Sequence, residues 1–355
     1  MSGASEGNDE MAEESGNRDG KVVGLDGDKE EAEGEEMKTE GGEDEDGLLD
    51  LTGNQLVSLV RIPLSPTLTE LDLTRNRLSS IEPVLGELPN LQKLSLRQNL
   101  LTDASDLAKY PGLYGLRELV LHDNQLKHIP PLDKFEKLEL LDVSFNQLKT
   151  LAGIEKVSPA LKELYAAKNK IQAIEGLSQL SNLLTLELGS NHLRVMENME
   201  GLTSLQNLWL GKNKIREVNL CGLKGLLRIS MMSNRLTRMT GFEGCEVLQE
   251  LYLSHNGISR MEHLCNLRSL QILDLANNRL SEIEDVESLT KLEDFWFNDN
   301  QLPSLDGIGD KLKGARLTLT TIYLERNPVA SDPDYIGKLR REFPNIQQID
   351  SKIVR

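Results

Sequence analysis

Cysteine is scarce in this 355-residue chain, and the three that occur, Cys221, Cys245 and Cys265, include no C-x-x-C pair. An odd number of cysteines without that spacing argues against a disulfide framework or a structural zinc site and favours a reducing compartment. Because the chain has no apolar run of about 18 residues and no basic segment leading into an apolar one at its start, neither a membrane span nor a signal peptide is expected. We expect a protein of the nucleus and cytoplasm.

Motifs for catalysis, nucleotide binding and metal binding are also lacking. The five histidines do not have metal-ligand spacing, and no H-x-x-x-H, G-x-S-x-G or phosphate-binding glycine motif occurs. We therefore expect no catalytic residue, no metal site and no cofactor, and we expect the chain not to be an enzyme. The formal net charge of -17 disfavours nucleic acid as the main partner.

Residues 1–46 carry most of the negative charge. They hold 18 Asp or Glu against four Lys or Arg, a net of -14, so the rest of the chain carries only -3. With no aromatic residue and few large apolar side chains, this segment cannot bury enough apolar surface to offset the entropy of ordering it. We predict a disordered acidic tail that keeps the protein soluble, with docking to a basic partner as the alternative.

One short motif, repeated thirteen times, accounts for most of the remaining chain. Its asparagines recur at steps of 21 to 27 residues from Asn54 to Asn327, in lines such as LTELDLTRN (68–76) and LQNLWLGKN (205–213). The pattern L-x-x-L-x-L-x-x-N, followed by apolar residues at three-residue spacing, is the leucine-rich repeat. It predicts a solenoid of about 12 to 13 repeats over residues 47–328, with a C-terminal cap over residues 329–355.

Each unit predicts one short strand and one outer turn. The L-x-L core alternates with period two, as in a strand with one buried face, and three-residue spacing after the asparagine suits 3-10 or short helical turns. Since one unit cannot bury its own apolar edge, neighbouring units must stack. We predict an α/β fold, a leucine-rich-repeat solenoid wound as a right-handed superhelix, with a parallel sheet on the concave side and 3-10 or short helical turns on the convex side.

The repeated asparagine is interpreted as architectural, because its amide can satisfy backbone groups where the chain leaves the strand. An excess of five residues within 309–316 predicts a bulge or helical turn on the outer side. A helix from Tyr335 to Arg341 and a strand-like segment from Ile346 to Asp350 are expected to cover the last repeat. The covering side chains would be Tyr335, Leu339, Phe343, Ile346 and Ile349.

The residue four positions before each asparagine is predicted to point out of the concave side. Of these thirteen residues five are acidic and five aromatic, both tryptophans of the chain are among them, and none is Lys or Arg. The position two residues earlier adds five acids, opposed only by Lys93 and Arg228. Exposed aromatic residues with acids between them indicate a protein interface whose partner offers a basic surface. Two alternatives stay open: aromatic rings that shield the sheet by packing on one another, and a peptide bound in the groove.

The repeat lines LELGSN, LGKNKI, LYLSHNGI, FWFNDN and YLERNP resemble those of one leucine-rich-repeat family, the regulatory subunit 7 of protein phosphatase 1. The ending DPDYIGKLRREFPNIQQID (332–350) resembles the cap that this family shares with a spliceosomal leucine-rich protein. The resemblance covers residues 47 to 355. It implies a non-catalytic protein that binds the phosphatase catalytic subunit through its concave face and controls its maturation, metal loading, activity or localisation, often together with a further inhibitor subunit.

The resemblance implies that residues at the same positions within the repeats as the family's contact residues also contact the partner here. The row of aromatic residues on the same face adds Tyr252 to them. The resulting partner-binding residues are Asp142, Tyr165, Glu187, Trp209, Tyr252, Asp274, Asp294, Trp296 and Tyr323. Tyr165 and Trp209 stand where the family commonly has phenylalanine, and Asp294 where it commonly has glutamate. A scaffold of ribonucleoprotein or cytoskeletal assemblies is the alternative function, since related arrays with the same cap do such work. The chain is expected to be a monomer on its own.

Overall fold

A computed structural model describes residues 47–354, and the acidic tail predicted for residues 1–46 lies outside them. The described chain forms one sheet of 15 strands, whose order in the sheet is their order in the sequence. The first fourteen strands are parallel, and the last pairs antiparallel with its neighbour. The leucine-rich-repeat solenoid predicted from the sequence is confirmed.

Thirteen strands of three residues carry the repeats. They are β1 (Leu48–Asp50), β2 (Glu70–Asp72), β3 (Lys93–Ser95), β4 (Glu118–Val120), β5 (Leu140–Asp142), β6 (Glu163–Tyr165), β7 (Thr185–Glu187), β8 (Asn207–Trp209), β9 (Arg228–Ser230), β10 (Glu250–Tyr252), β11 (Ile272–Asp274), β12 (Asp294–Trp296) and β13 (Thr321–Tyr323). The middle residue of each is buried, as Leu186 and Phe295 illustrate, because it points into the core while its two neighbours point to the opposite face. Stacking these strands therefore produces one continuous apolar core.

The repeated asparagines form a buried hydrogen-bonded ladder. The Asn191 Oδ1 accepts the N–H of Ile171 at 3.0 Å, and its Nδ2 donates to the carbonyls of Ala166 at 2.9 Å and Leu188 at 3.0 Å. The same pattern recurs from Asn76 to Asn327. Each asparagine thus links its own repeat to the preceding one, which confirms its architectural interpretation.

The residue before each asparagine bends the chain out of its strand. Its backbone is left-handed in every repeat, with φ between 54° and 75°, and its N–H donates to the next repeat, as Lys168 does to Gly189 at 2.8 Å. The backbone N–H of the residue after the asparagine donates to a carbonyl of the preceding repeat, as that of Lys170 does to Leu148 at 2.8 Å. These two bonds keep the side of the solenoid in register from one repeat to the next.

The outer side has the 3-10 and short helical turns that the sequence predicts. The 3-10 segments are Pro83–Glu87, Ser105–Lys109, Pro111–Gly115, Ile154–Lys156, Lys313–Ala315 and Pro328–Ser331, and the α-helices are α1 (Ile308–Lys311) and α2 (Tyr335–Glu342). In the other described repeats, isolated turns suffice: Leu202 donates to Met199 and Leu205 to Leu202, both at 3.0 Å. Three-residue spacing can be satisfied by such separate turns without a continuous 3-10 helix.

The insert and the C-terminal segment pack onto the end of the array. The insert forms α1 and the 3-10 turn after it, with Leu312 and Ala315 buried. Beyond α2, β14 (Gln348–Ile349) pairs parallel with β13, and β15 (Lys352–Ile353) returns antiparallel. The five side chains predicted to cover the last repeat are buried: Tyr335, Leu339, Phe343, Ile346 and Ile349.

Candidate functional site

The concave face is formed by the first and third residues of β1 to β13, which point away from the core. In most strands both are half-buried while the middle residue is buried. Asp294 is the first residue of β12. The other eight residues assigned to partner binding are third residues: Asp142, Tyr165, Glu187, Trp209, Tyr252, Asp274, Trp296 and Tyr323. The structure therefore places all nine on one face.

Four aromatic rings run in a continuous row along the C-terminal half of this face. Ring centroids are 6.5 Å apart between Trp209 and Tyr252, 6.4 Å between Tyr252 and Trp296, and 6.2 Å between Trp296 and Tyr323. The first two pairs are two strands apart, a spacing of about 10 Å along the backbone. The rings therefore lean towards each other over the strands between them.

Small residues on the intervening strands permit this arrangement. Ser230 on β9 and Asp274 on β11 lie between the larger side chains, and they are only 7% and 2% exposed. Ring-on-ring packing, one alternative foreseen from the sequence, therefore occurs. The four aromatic residues are nevertheless half-buried rather than buried, so part of each remains accessible. Direct contact of a partner with Asp274 stays a prediction, because in the isolated chain this carboxylate lies beneath the aromatic rings.

The polar atoms of the aromatic row differ in how they are satisfied. The Tyr252 hydroxyl donates to Glu250 Oε2 at 2.9 Å, and the Tyr323 hydroxyl accepts from the Gln348 amide. The Trp296 Nε1 atom is buried and has no hydrogen-bond acceptor within the described part of the chain. A buried N–H without an acceptor costs about 1–3 kcal/mol.

The middle of the concave face presents two carboxylates on either side of a tyrosine. Asp142, Tyr165 and Glu187 are aligned on the neighbouring strands β5, β6 and β7. The Asp142 Oδ1 accepts the N–H of Ser144, and the Glu187 Oε1 accepts that of Gly189, both at 2.8 Å. These backbone bonds fix one oxygen of each carboxylate, and the second oxygen of Asp142 lies 3.2 Å from His122 Nδ1.

Burial changes the acid–base behaviour of this region. It raises the pKa of Glu187 to about 7, opposed by the Gly189 N–H and assisted by the negative charge of Asp142. Burial and the Glu163 carboxylate, which accepts the Tyr165 hydroxyl at 2.5 Å, likewise raise the pKa of Tyr165. Burial also raises the pKa of Asp274. A basic group on a partner would offset the cost of keeping such carboxylates ionised.

The two basic residues on the first-residue row are paired within the face. Lys93 lies between Glu70 at 3.7 Å and Glu118 at 3.4 Å, and Arg228 pairs with Glu250 at 2.9 Å. These ion pairs neutralise Lys93 and Arg228, the two basic residues on an otherwise acidic row. The remaining charge of the face is therefore acidic.

Sequence reasoning considered two residues of each strand and overlooked the positions that follow. The residue two before the asparagine lies on the same side by alternation, and it includes His122 and the exposed Met232. The left-handed residue before the asparagine includes the exposed Phe145, whose ring stacks on His122 with centroids 4.7 Å apart. Extending the period-two alternation by one step would have found the residues two before each asparagine. The direction of the residue directly before the asparagine depends on the left-handed bend, which the sequence pattern does not show.

Residues 47–354 offer neither a metal site nor a membrane-spanning helix. No group of three or more His, Cys, Asp or Glu side chains there is arranged to hold a metal ion. None of the helices in this range has the length and apolar character needed to cross a bilayer. Cys245 is buried in the core, and this burial raises the pKa of its thiol to about 11.

Comparison with known proteins gives sequence and fold relatives. The family model described as "Leucine Rich repeats (2 copies)" matches residues 66–109, 246–288 and 269–310. An Arabidopsis thaliana protein called "Protein phosphatase 1 regulatory inhibitor subunit PPP1R7 homolog" is 51% identical over 312 residues, which are 87% of this chain and 95% of that protein. The human "Protein phosphatase 1 regulatory subunit 7" is 52% identical over 46 residues, 13% of this chain and 12% of that one.

Solved structures with the same fold are more distant in sequence. A Listeria monocytogenes internalin superposes with a TM-score of 0.76 at 24% identity, over 87% of each chain. A Leptospira interrogans leucine-rich-repeat protein gives 0.62, also at 24% identity, over 84% of this chain and 94% of that one. These structures support the fold. The phosphatase-subunit relatives are named as regulatory subunits and not as enzymes, which confirms the expectation of a non-catalytic protein.

Proposed function

Because this chain belongs to the family of protein phosphatase 1 regulatory subunit 7, we propose that it is a regulatory subunit that binds the catalytic subunit of type-1 Ser/Thr protein phosphatase through its concave face. Through that contact it controls the activity, maturation or localisation of the enzyme. A further inhibitor subunit can join the complex. The chain contributes a binding surface, and its partner carries out the catalysis.

The observation that carries this proposal is the combination of an aromatic row and an acidic region on one face. The row from Trp209 to Tyr323 supplies large, rigid apolar groups, which are the side chains that most often dominate interface energies. Asp142 and Glu187 supply carboxylates that suit basic side chains of the partner. Together they span β5 to β13, about 40 Å at the spacing of neighbouring strands, which suits a folded protein better than a metabolite.

Trp296 and Asp142 are the residues through which the proposal can be tested. We expect Trp296→Ala to weaken binding of the purified catalytic subunit by about 30- to 1000-fold, because loss of a central aromatic anchor costs about 2–4 kcal/mol. Asp142→Lys should weaken binding as well, by placing a like charge against a basic surface. Affinity is measured by surface plasmon resonance and by co-purification.

Leu317→Ala is the matched control, because Leu317 is an apolar residue, 68% exposed, that lies outside the concave face. It should bind like the unaltered chain, and all variants should keep the same circular dichroism spectrum. Undiminished binding by a variant that carries both Trp296→Ala and Asp142→Lys would refute the proposal. Recovery of spliceosomal or tubulin components without any phosphatase would favour the scaffold function instead.

A further inference from the structure

Phe145 is an exposed aromatic residue in a backbone conformation that disfavours it. It precedes Asn146, and its φ of 55° is left-handed, like that of the equivalent residue in every repeat. At the other twelve repeats this position holds a polar residue or glycine. A bulky side chain there costs about 1 kcal/mol or more relative to glycine, and 44% of Phe145 remains exposed. An exposed apolar ring at this position is therefore a departure from the repeat pattern.

The ring of Phe145 is held in place by its neighbours. The His122 ring packs against it with centroids 4.7 Å apart, and the Lys168 Nζ lies 5.6 Å from its centroid. His122 is itself fixed, because its Nδ1 lies 3.2 Å from Asp142 Oδ2. A ring fixed in this way loses little freedom when a ligand packs on it.

Four lysines without carboxylate partners lie in the same three repeats as this ring, and one of them, Lys168, lies over it. Lys127, Lys149, Lys168 and Lys170 make no ion pair within residues 47–354, whereas Arg117 and Lys162, also on the surface, both pair with Glu139. Three of the four line an open depression of about 510 Å³, together with His128, Gln147 and Thr150. Like charges gathered without counter-charges repel one another, and an anionic ligand would relieve that repulsion.

The backbone sets the spacing of these groups. The N–H of Gln147 donates to Leu126 and that of Lys170 to Leu148, both at 2.8 Å, so consecutive repeats are in register along this side. The lysines span three repeats, roughly 10 Å. An extended peptide places alternate side chains about 6.8 Å apart, so three such side chains cover this distance.

We propose that Phe145, Lys127, Lys149, Lys168 and Lys170 form a lateral site that binds an acidic protein segment containing one aromatic or aliphatic residue. The apolar side chain packs on the exposed face of Phe145, and carboxylates on either side of it pair with the lysines. A single-stranded nucleic acid fits less well, because such ligands use several stacking platforms and this site has one exposed aromatic ring. The site adjoins the concave face through His122 and Asp142 but has the opposite charge, so it recognises a different segment.

Fluorescence anisotropy with defined peptides tests the site on the full chain. The probe is a fluorescent heptapeptide of glutamates and aspartates with a central phenylalanine. Two matched peptides replace the phenylalanine by serine, or every acid by its amide. We expect each matched peptide to bind at least about fivefold more weakly, since both the ring contact and the ion pairs contribute. Raising the salt concentration from about 0.05 M to 0.3 M should weaken the acidic probe most.

Phe145→Asn separates binding from folding. Asparagine tolerates a left-handed backbone, so the melting temperature should be unchanged or higher, while probe affinity falls about tenfold. Lys168→Glu with Lys170→Glu should lower affinity by at least as much. The control pair Lys291→Glu and Lys313→Glu makes the same charge change at exposed lysines elsewhere and should bind like the unaltered chain. Equal probe affinity in the Phe145→Asn chain, or tighter binding of a single-stranded oligothymidylate through Lys168 and Lys170, would overturn the proposal.

Discussion

Several single residues of the concave face are in surroundings that oppose their ordinary chemistry. Glu187 is a carboxylate with a raised pKa, Trp296 has a buried N–H without an acceptor in the described chain, and Asp274 lies beneath aromatic rings. Such features destabilise an isolated chain and occur where a surface is shaped for something other than its own folding. They concentrate on the face that we propose to bind the phosphatase.

Glu187 should make stability depend on pH. Its pKa rises from an ordinary value of 4.5 to about 7 on folding, so the folded chain binds more protons than the unfolded chain between these values. The free energy of unfolding should therefore decrease as the pH rises from 4.5 to 7 and stay lower above that. Glu187→Gln removes this ionisation and should raise stability at pH 8 by about 1–3 kcal/mol, with less effect at pH 5. Urea unfolding at both pH values measures the difference.

The exposed Glu197 provides the control for this experiment, because it lies outside the concave face. Glu197→Gln should leave the pH dependence unchanged. If Glu187→Gln altered stability equally at pH 5 and pH 8, the assigned ionisation would be wrong.

At the level of the repeat, strand and ladder serve different functions. The strand supplies one buried side chain to the core and two to the concave face. The asparagine makes two hydrogen bonds to the preceding repeat and one within its own, and the left-handed residue before it redirects the chain. The core and the ladder use the same positions in every repeat, so the first and third residues of each strand are free to vary. We expect these residues to determine which partner the concave face binds.

Loss of one ladder asparagine should be costly. Asn191→Ala removes the acceptor of the buried Ile171 N–H and one of the two amide donors to each of the carbonyls of Ala166 and Leu188, which keep Asn169 and Asn213. We expect a loss of about 2–4 kcal/mol. Asn182→Ala is the matched control, since Asn182 makes a single exposed bond to the carbonyl of Pro159 at 3.0 Å. It should cost less than about 1 kcal/mol. Thermal and urea unfolding compare the two, and similar losses in both variants would refute a special role for the ladder.

At the scale of the whole molecule, each strand pairs only with its neighbours in the sequence, so the ends of the array are where a core would be exposed. At the C-terminal end, α2 and β14 place Phe343 and Ile349 over the last repeat. Asp350 follows β14 and is aligned with Tyr323, and its Oδ1 accepts the N–H groups of Leu324 at 2.8 Å and Glu325 at 2.9 Å. In earlier repeats the N–H equivalent to that of Leu324 donates to a carbonyl of the next strand, as Leu188 does to Trp209 at 2.9 Å. The cap therefore continues the core by one more step and satisfies backbone N–H groups at the end of β13.

Phe343→Ala should open this end of the solenoid. The side chain is fully buried, and its truncation should lower the free energy of unfolding by about 3–5 kcal/mol. Ile353, which is 80% exposed, is the control, and Ile353→Ala should change stability by less than about 0.5 kcal/mol. Hydrogen exchange should show faster exchange of the β13 amides in Phe343→Ala than in the control. Protection of β13 equal in both variants would contradict a capping role.

Much of the molecule could be predicted because its interactions are local and periodic. Leu186 and Asn191 occupy positions whose environment repeats every 22 residues or so, so their burial follows from the pattern. The outward direction of Trp209 and Trp296 follows from the same period. The burial of Asp274 does not, because it depends on rings from two other strands that lean over it.

The sequence by itself determined the solenoid, the register of its strands and the set of side chains on the concave face, since stacking of identical units allows only one way to bury the apolar edge of each. Tertiary structure alone decided which of those side chains remain accessible, how the aromatic rings pack and which cations are left without partners. These properties arise between side chains of different repeats, where size, tilt and charge combine without a period. The packing of the Phe145 ring between His122 and Lys168 belongs to this second group.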